Sequence, residues 1–311
     1  MSLTRATVAG AAPPALPASA GPFAATELHA WAGVDFDLPP GDPRLARVHD
    51  GAPAPEPAWD NLVGAREAWR ADPAVMDFLD PDSPAWADKD LERSIYLDRW
   101  DRWVPAGSAV LDLGGNIGRF ATWALDRGCD VYLVDPDLRA LRRAVAHAVG
   151  RPGRLDVYWT TGEALPDLPP IDVVLAAEVL CYTAEPERVL DGLRRALVPG
   201  GPVLLSVEAR WGWAMARDAP HDQLGALLDD GLVHVPGDRW VRTYDEARLR
   251  TLLRDWDLVE LVPTHYASSG PFEHVAGDYT ADELLEWEAR LRAHPVTRGL
   301  NRCWTAVARS R

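Results

Sequence analysis

The stretch that decides the fold is Val110-Leu-Asp-Leu-Gly-Gly-Asn-Ile-Gly-Arg-Phe120, where an apolar run enters a glycine-rich turn. The run Ala109–Leu113 predicts a buried strand, and the residues after the turn predict a helix over about Arg119–Arg127. Gly114 and Gly118 let the backbone turn tightly and approach a ligand. The start of the helix offers free N–H groups and a positive dipole end. The stretch therefore predicts a strand–turn–helix unit with a ligand at the turn.

An acidic residue closes the next strand. The run Val131–Val134 ends in Asp135, 21 residues after Gly114. In nucleoside-binding α/β folds an acid at this place meets ribose hydroxyls. The spacing Asp112-x-Gly114-x-Asn116-x-Gly118 is not GxGxxG, which disfavours the alternative of an NAD-binding domain. A turn that only packs a helix is the other alternative, and the acid at this distance argues against it.

Strands and helices continue to alternate along the chain. Further strands are predicted at Leu155–Trp159, Ile171–Ala177, Val203–Val207, Leu258–Val262 and Cys303–Ala308, with helices around Leu138–Val145, Val189–Leu197 and Asp245–Asp255. The strands are almost continuously apolar, which predicts a parallel sheet with helices on both faces.

The chain is expected to have three parts. They are a flexible tail (1–25), an N-terminal helical cap or lid (26–103) and an α/β domain (104–311) with insertions at about 208–243 and 263–302. The tail has nine alanines and four prolines and little periodicity. In the cap, Tyr96, Trp100 and Trp103 fall on one helical face.

Composition narrows the classes of partner. Of the 311 residues, 32 are basic and 47 acidic, giving a net charge of −15, so we expect neither a nucleic acid nor a membrane surface as partner. Hydrophobic residues make up 47%, enough for a sizeable core, and no apolar run approaches the ~18 residues of a membrane span.

Cysteine usage and the N-terminus favour a cytoplasmic location. Cys129, Cys181 and Cys303 are too far apart for a disulfide framework or a metal knuckle, and no secretory signal is evident. No HExxH motif predicts a metal site. A single lysine, Lys89, against 31 arginines, with abundant Ala and Pro, is typical of a GC-rich bacterial genome.

Several later turns carry further motifs in order. They are Thr161-Gly-Glu-Ala-Leu-Pro166, Asp172-Val-Val-Leu-Ala-Ala-Glu-Val-Leu180, Leu197-Val-Pro-Gly-Gly201 and Arg242-Thr-Tyr-Asp245. Together with the glycine turn, they make about residues 88–311 resemble the class I S-adenosylmethionine-dependent methyltransferases, small-molecule type. Asn116 stands where the family has its middle glycine, a departure that some branches share. The resemblance implies a Rossmann-like, seven-stranded, mostly parallel sheet with the last strand antiparallel.

The resemblance also implies a cofactor, S-adenosylmethionine, with S-adenosylhomocysteine as its product. The implied cofactor-binding residues are Asp112, Gly114, Gly115, Asn116, Gly118, Asp135, Pro136, Gly162, Glu163, Ala164, Glu178 and Tyr96. The turn residues would cradle the methionine part, Asp135 would hold the ribose, and Glu163 would read the adenine. Glu178 would lie at the methionine end, and Tyr96 would belong to a lid. An acidic rim at strand ends suits a cationic sulfonium.

The sequence says less about the methyl acceptor than about the cofactor. Candidates for a general base are, in falling order, His265, His221, His234 and Tyr182. Candidates for acceptor binding are Glu208, Arg210, Trp211, Trp213, Trp240 and Tyr266. Each also has an ordinary interpretation as a surface or packing residue.

We therefore expect a bacterial methyltransferase of natural product biosynthesis. The aromatic insertions favour a bulky or aromatic specialised metabolite as acceptor, with O- or N-transfer ahead of C-transfer. The same fold could use the cofactor for cyclisation or decarboxylation, or the chain could be a noncatalytic partner subunit. The acceptor, the need for a base, a homodimeric state and the role of residues 1–87 stay open.

Overall fold

A computed structural model describes residues 4–8, 47–48, 61–215, 223–235, 239–268, 270, 272–273, 277 and 279–311. The predicted tail and the first part of the predicted cap lie outside these residues, apart from Thr4–Val8 and Arg47–Val48, which are strands. The chain forms two compact units. The first unit comprises Met1–Pro57, Val104–Leu175 and Arg188–Val198, and the second Ala58–Trp103, Ala176–Glu187 and Pro199–Arg311.

The elements follow in chain order. The strands are β1 (Thr4–Val8), β2 (Arg47–Val48), β3 (Ala109–Leu113), β4 (Asp130–Asp135), β5 (Arg154–Trp159), β6 (Val173–Ala176), β7 (Pro202–Glu208), β8 (Leu232–Val235), β9 (Arg239–Arg242), β10 (Asp257–Thr264) and β11 (Cys303–Arg309). The helices are α1 (Val63–Ala71), α2 (Pro73–Met76), α3 (Trp86–Trp100), α4 (Arg119–Asp126), α5 (Leu138–Ala148), α6 (Pro186–Ala196), α7 (Arg210–Met215), α8 (Leu224–Leu228), α9 (Glu246–Leu252) and α10 (Ala281–Ala293). None of the helices in this described part of the chain is long and apolar enough to cross a membrane.

The first unit is built on parallel strands in the order β6-β3-β4-β5. Leu111 pairs with Tyr132 on one side and with Val174 on the other. The apolar strands are buried because α4 and α5 pack on them, as the near-continuous apolar runs predict. Beyond β5, β1 and then β2 continue the pairing in antiparallel fashion.

The second unit contains a three-strand arrangement in which β11 runs antiparallel between β7 and β10. This register brings the start of β11 beside two strand ends, because Cys303 pairs with Glu208 and with Thr264. Strands β8 and β9 form a separate antiparallel pair. In α3 the predicted aromatic face is largely buried, with Tyr96 and Trp100 almost fully enclosed.

The strands of β3–β7, β10 and β11 confirm the expected fold class. Counted together, they are six parallel strands and one antiparallel strand, β11, of a Rossmann-like mixed sheet flanked by helices. The antiparallel strand is the last in the chain, as expected.

Candidate cofactor and acceptor sites

In the glycine turn after β3, every second residue has a left-handed backbone conformation. Gly114, Asn116 and Gly118 have φ values of 66°, 49° and 90°. Glycine adopts such angles freely, and asparagine tolerates them better than most residues. The side-chain Oδ1 of Asn116 accepts a hydrogen bond from Ile117 N at 2.8 Å, which supports this conformation. Asn116 therefore reproduces the backbone shape that the family's middle glycine would give.

Asp135, at the end of β4, ties this turn to the next one. Its Oδ2 accepts from Asn116 N at 2.9 Å, and its Oδ1 accepts from Asp137 N at 2.8 Å. Burial raises the pKa of Asp135 to about 7, although both N–H donors favour its ionised form. The carboxylate is thus fixed at the turn where the sequence places a ribose ligand.

Asp112, inside β3, lies directly beneath the turn. A Cβ atom added at Gly115 would lie 2.7 Å from Asp112 Oδ2, so the turn backbone closely approaches this carboxyl group. Burial raises the pKa of Asp112 to about 7, and its Oδ2 accepts no hydrogen bond from the described residues. The geometry is that of a side chain that supports the turn from below.

The remaining cofactor candidates of the first unit follow β4 and β5. Pro136 O accepts from Trp159 Nε1 at 2.9 Å. Gly162–Ala164 form one 3-10 turn, in which Glu163 is half-buried and Ala164 is exposed. The structure therefore brings the first-unit candidates to the carboxyl ends of neighbouring parallel strands, where α/β folds bind ligands.

Glu178 and Tyr96 belong to the second unit, where a closed ring of hydrogen bonds joins them. Glu178 N donates to Ser206 Oγ at 2.9 Å, Ser206 Oγ donates to Tyr96 Oη at 2.9 Å, and Tyr96 Oη donates to Glu178 Oε1 at 2.8 Å. Glu178 has a φ of 56°, an unfavourable angle for glutamate. The ring holds this residue in place, and Ser206 is a member that the sequence did not reveal.

A cavity of about 240 Å³ lies within the second unit. The described residues that line it are Lys89, Glu92, Glu178, Tyr182, Glu208, Arg239, His265, Arg302 and Cys303. Glu178, Glu208 and His265 follow or close strands β6, β7 and β10, so the cavity lies at the carboxyl ends of these strands. We call it the second-unit cavity.

His265 is the base candidate with the most distinctive geometry. It follows β10 with a φ of 60° and is only 2% exposed. Its ring lies 4.4 Å from that of Tyr96, and its Nδ1 is 3.0 Å from Thr264 Oγ1. Its Nε2 has no hydrogen-bond partner among the described residues, although the side chain lines the second-unit cavity.

Tyr182 and Arg302 both bond to the buried carboxylate of Glu208. Tyr182 Oη donates to Glu208 Oε1 at 2.7 Å, Arg302 Nη2 donates to the same oxygen at 2.9 Å, and Arg302 also forms an ion pair with Glu208. Burial raises the pKa of the Tyr182 phenol well above its usual range. Tyr182 is therefore a protonated donor at neutral pH rather than a base.

Of the other two histidine candidates, only His234 is among the described residues, and it does not line the cavity. His234 is exposed on β8, where its ring stacks on Trp240 at 4.3 Å. His221 lies outside the described residues. The structure thus brings only His265 and Tyr182, of the candidate bases it describes, to the cavity wall.

Most acceptor-binding candidates also lie elsewhere. Trp211 is 45% exposed, and Trp213 is buried beneath the guanidinium of Arg302 at 5.0 Å. Arg210 is 3.8 Å from Asp245, and the buried Tyr266 is held by its backbone N–H to Glu288. Like Trp240, these residues do not line the cavity, whereas Glu208 does.

Several wall residues were missed by sequence reasoning. Lys89 and Glu92 lie on the polar side of α3, and Arg239 is the first residue of β9. Arg302 and Cys303 come to the wall through the pairing of β11 with β7. No local pattern marks these positions. The one feature of the sequence that could have indicated a wall residue is the charge of Arg302, directly before the last predicted strand.

Comparisons with known proteins agree with this geometry. A family model described as "Methyltransferase domain" matches residues 111–203. An uncharacterized methyltransferase of Mycobacterium tuberculosis is 34% identical over 103 residues, which are 33% of this chain and 40% of the relative. A ubiquinone biosynthesis O-methyltransferase of Idiomarina loihiensis is 31% identical over 123 residues, or 38% of this chain and 51% of the relative. The match thus spans about half or less of these curated relatives.

The fold is also that of a solved methyltransferase. The crystal structure of an S-adenosylmethionine dependent methyltransferase from Mesorhizobium loti aligns with a TM-score of 0.50 and 19% identity, covering 70% of this chain and 99% of that one. These findings agree with the expected family: residues 111–203 match a methyltransferase domain, and the fold is that of an S-adenosylmethionine dependent methyltransferase.

Proposed function

We propose that this chain transfers a methyl group from S-adenosylmethionine to oxygen or nitrogen of a small-molecule acceptor. The observation that carries the proposal is His265, whose Nε2 is buried at the wall of the second-unit cavity with no partner among the described residues. A fixed proton-accepting nitrogen beside a cavity suits a methyl acceptor whose nucleophile must lose a proton.

The residues of the first unit are suited to bind the cofactor. The left-handed turn at Gly114, Asn116 and Gly118 presents a backbone cradle, and Asp135 supplies a carboxylate at the ribose position. Glu163 and its neighbours would contact the adenine. When bound, S-adenosylmethionine supplies a methyl group on a positively charged sulfur, which is already an activated electrophile.

The direct role of the protein in the reaction is to accept the proton that the nucleophile of the acceptor loses. The bound cofactor would supply the methyl group to the nucleophilic atom of the acceptor and would leave as S-adenosylhomocysteine. The proton of the nucleophile passes to Nε2 of His265. Alignment of the reactants can supply much of the reduction in the barrier.

The neighbours of His265 favour the tautomer that this role requires. Thr264 Oγ1 is 2.8 Å from Thr305 Oγ1 and donates to Cys303 O at 3.4 Å. If Thr264 donates to the carbonyl, its oxygen accepts from Nδ1–H of His265, and Nε2 keeps its lone pair. The opposite tautomer would require Thr264 to donate to Nδ1 of His265 instead of to Cys303 O.

Two other functions were open from the sequence. Cyclisation or decarboxylation on the same fold would bind the cofactor without forming S-adenosylhomocysteine. A noncatalytic subunit would not need a buried histidine nitrogen at a cavity wall. We therefore favour methyl transfer, with a role in bacterial specialised metabolism, a cytoplasmic location and a small-molecule partner as parts of the same proposal.

The test is formation of S-adenosylhomocysteine in the presence of a panel of small hydroxyl- and amine-bearing compounds. We expect His265→Gln to lower turnover by about 10²–10⁴-fold, the usual worth of a general base, with cofactor affinity unchanged. His234→Gln is the matched control, because His234 is exposed away from the cavity wall. Equal loss in both variants, or none in either, would contradict the role of His265.

A further inference from the structure

We propose that the second-unit cavity takes a small hydrophilic acceptor with no net charge, rather than the bulky or aromatic acceptor that the tryptophan-rich insertions suggest. This inference rests on the proposed function and narrows its acceptor class. It follows from three properties of the wall: its polarity, its charge balance and its size.

The wall is polar almost throughout. Six of its nine described side chains carry a formal charge, and Tyr182 and His265 add two more hydrogen-bonding groups. An apolar acceptor would displace water from these groups without replacing its hydrogen bonds, at about 1–3 kcal/mol for each group left unsatisfied. An acceptor with several hydroxyl, amine or carbonyl groups replaces them.

The charges of the wall balance one another. Among the described residues of the wall, the acids are Glu92, Glu178 and Glu208, and the bases are Lys89, Arg239 and Arg302, three of each. Lys89 Nζ lies 2.8 Å from Glu92 Oε1, and Arg302 forms an ion pair with Glu208. A singly charged acceptor would be desolvated in the cavity without an uncompensated opposite charge to meet it. A neutral polyol incurs no such cost, and a zwitterion leaves the charge balance of the wall unchanged.

The volume of the second-unit cavity and the positions of the tryptophans also favour a small hydrophilic acceptor. The volume of about 240 Å³ is below the ~300–1,000 Å³ of pockets that hold drug-sized ligands. Trp211, Trp213 and Trp240 do not line this space. The cavity therefore has neither the room nor the apolar wall that a large aromatic acceptor needs.

The experiment uses the full chain saturated with S-adenosylhomocysteine, and measures binding of five probes by ligand-observed NMR. The probes are β-alanine as a zwitterion, glycerol as a neutral polyol, propionate and ethylammonium as singly charged analogues, and indole as an apolar aromatic. We expect β-alanine or glycerol to bind at least about tenfold more tightly than the other three, a difference of ~1.4 kcal/mol. Which of the two binds better distinguishes a zwitterionic from a neutral acceptor.

Two variants change the charge of the wall in opposite directions. Lys89→Gln removes a partly exposed cation and leaves the wall one charge negative, so ethylammonium should gain affinity at least about fivefold, or ~1 kcal/mol. Glu208→Gln keeps an oxygen for Tyr182, leaves the wall one charge positive and should favour propionate by a similar factor. Glu286→Gln, on the exposed side of α10, is the control and should change neither preference.

The outcomes separate the two proposals. If S-adenosylhomocysteine does not bind, the proposed function is overturned and the acceptor class with it. If it binds but indole or a singly charged probe binds as well as the neutral ones, or no probe binds, only the acceptor class is overturned. Unchanged charge preferences in Lys89→Gln, which does not depend on a buried substitution, would also overturn it.

Discussion

The glycine turn at the cofactor site can be tested by a series of three glycine-to-alanine substitutions. Gly118 has a φ of 90°, and a Cβ atom there would lie 3.2 Å from the Cβ of Ala144. Gly128 has a φ of 74° but open space around it, and Gly225 has open space and an ordinary φ. The series therefore separates backbone strain from crowding of α5.

The expected costs follow from these surroundings. A left-handed alanine costs about 1–2 kcal/mol, which is all that Gly128→Ala should lose in free energy of unfolding. Overpacking against α5 adds about 1–3 kcal/mol, so Gly118→Ala should lose about 2–5 kcal/mol. Gly225→Ala, inside a short helix, should be neutral or gain up to about 1 kcal/mol.

Urea denaturation at fixed pH gives the three stabilities, and calorimetry gives the affinity for S-adenosylhomocysteine. We expect Gly118→Ala alone to weaken binding, by about tenfold or more, a loss of ~1.4 kcal/mol. The reasoning would be refuted if Gly118→Ala were no less stable than Gly128→Ala, or if both bound the ligand as the wild type does.

Further predictions concern individual side chains. Asp135→Ala should weaken binding of S-adenosylmethionine by about 1.5–3 kcal/mol by calorimetry, because charge-assisted hydrogen bonds are lost, and an unchanged affinity would exclude the ribose role. Burial raises the pKa of Asp112 from 3.8 to about 7, so its contribution to stability is present below pH ~4 and is lost as the pH rises through ~7. The free energy of unfolding of Asp112→Asn, measured relative to that of wild type, should therefore be higher at pH 8 than at pH 4. A difference between the two proteins that does not vary with pH would contradict this. Tyr96→Phe should cost about 1–3 kcal/mol of stability, because it removes a hydrogen-bond partner from the buried Ser206 and the half-buried Glu178, whereas a loss under about 0.5 kcal/mol would argue against the ring. Thr264→Val should shift the His265 ring toward the Nε2–H tautomer in ¹⁵N NMR, and identical spectra would show that Thr264 does not set the tautomer.

The first unit could be predicted from the sequence because its determinants are local. An apolar run, a glycine spacing and an acid at the next strand end are all visible within the stretch that ends at Asp135. The left-handed angles of Gly114 and Gly118 follow from the same residues. Each element there is specified by its own sequence, so pattern and structure agree.

The wall of the second-unit cavity depends on pairings that no local pattern encodes. Glu208 meets Arg302 because β7 pairs with β11 across almost a hundred residues of sequence. Ser206 meets Tyr96 across 110 residues. Conversely, the tryptophans of the insertions have no regular period that assigns them to a face. Their apolar character suggested an aromatic pocket, whereas Trp213 packs under an arginine and Trp240 against a histidine.

The most direct test of the central claim is calorimetric titration of the pure chain with S-adenosylmethionine and S-adenosylhomocysteine, with NAD as control. The turn at Gly114–Gly118 and the carboxylate of Asp135 predict binding of the first two and none of the third. Failure of both sulfur compounds to bind, or preferential binding of NAD, would contradict the assignment of this site and the methyl transfer built on it.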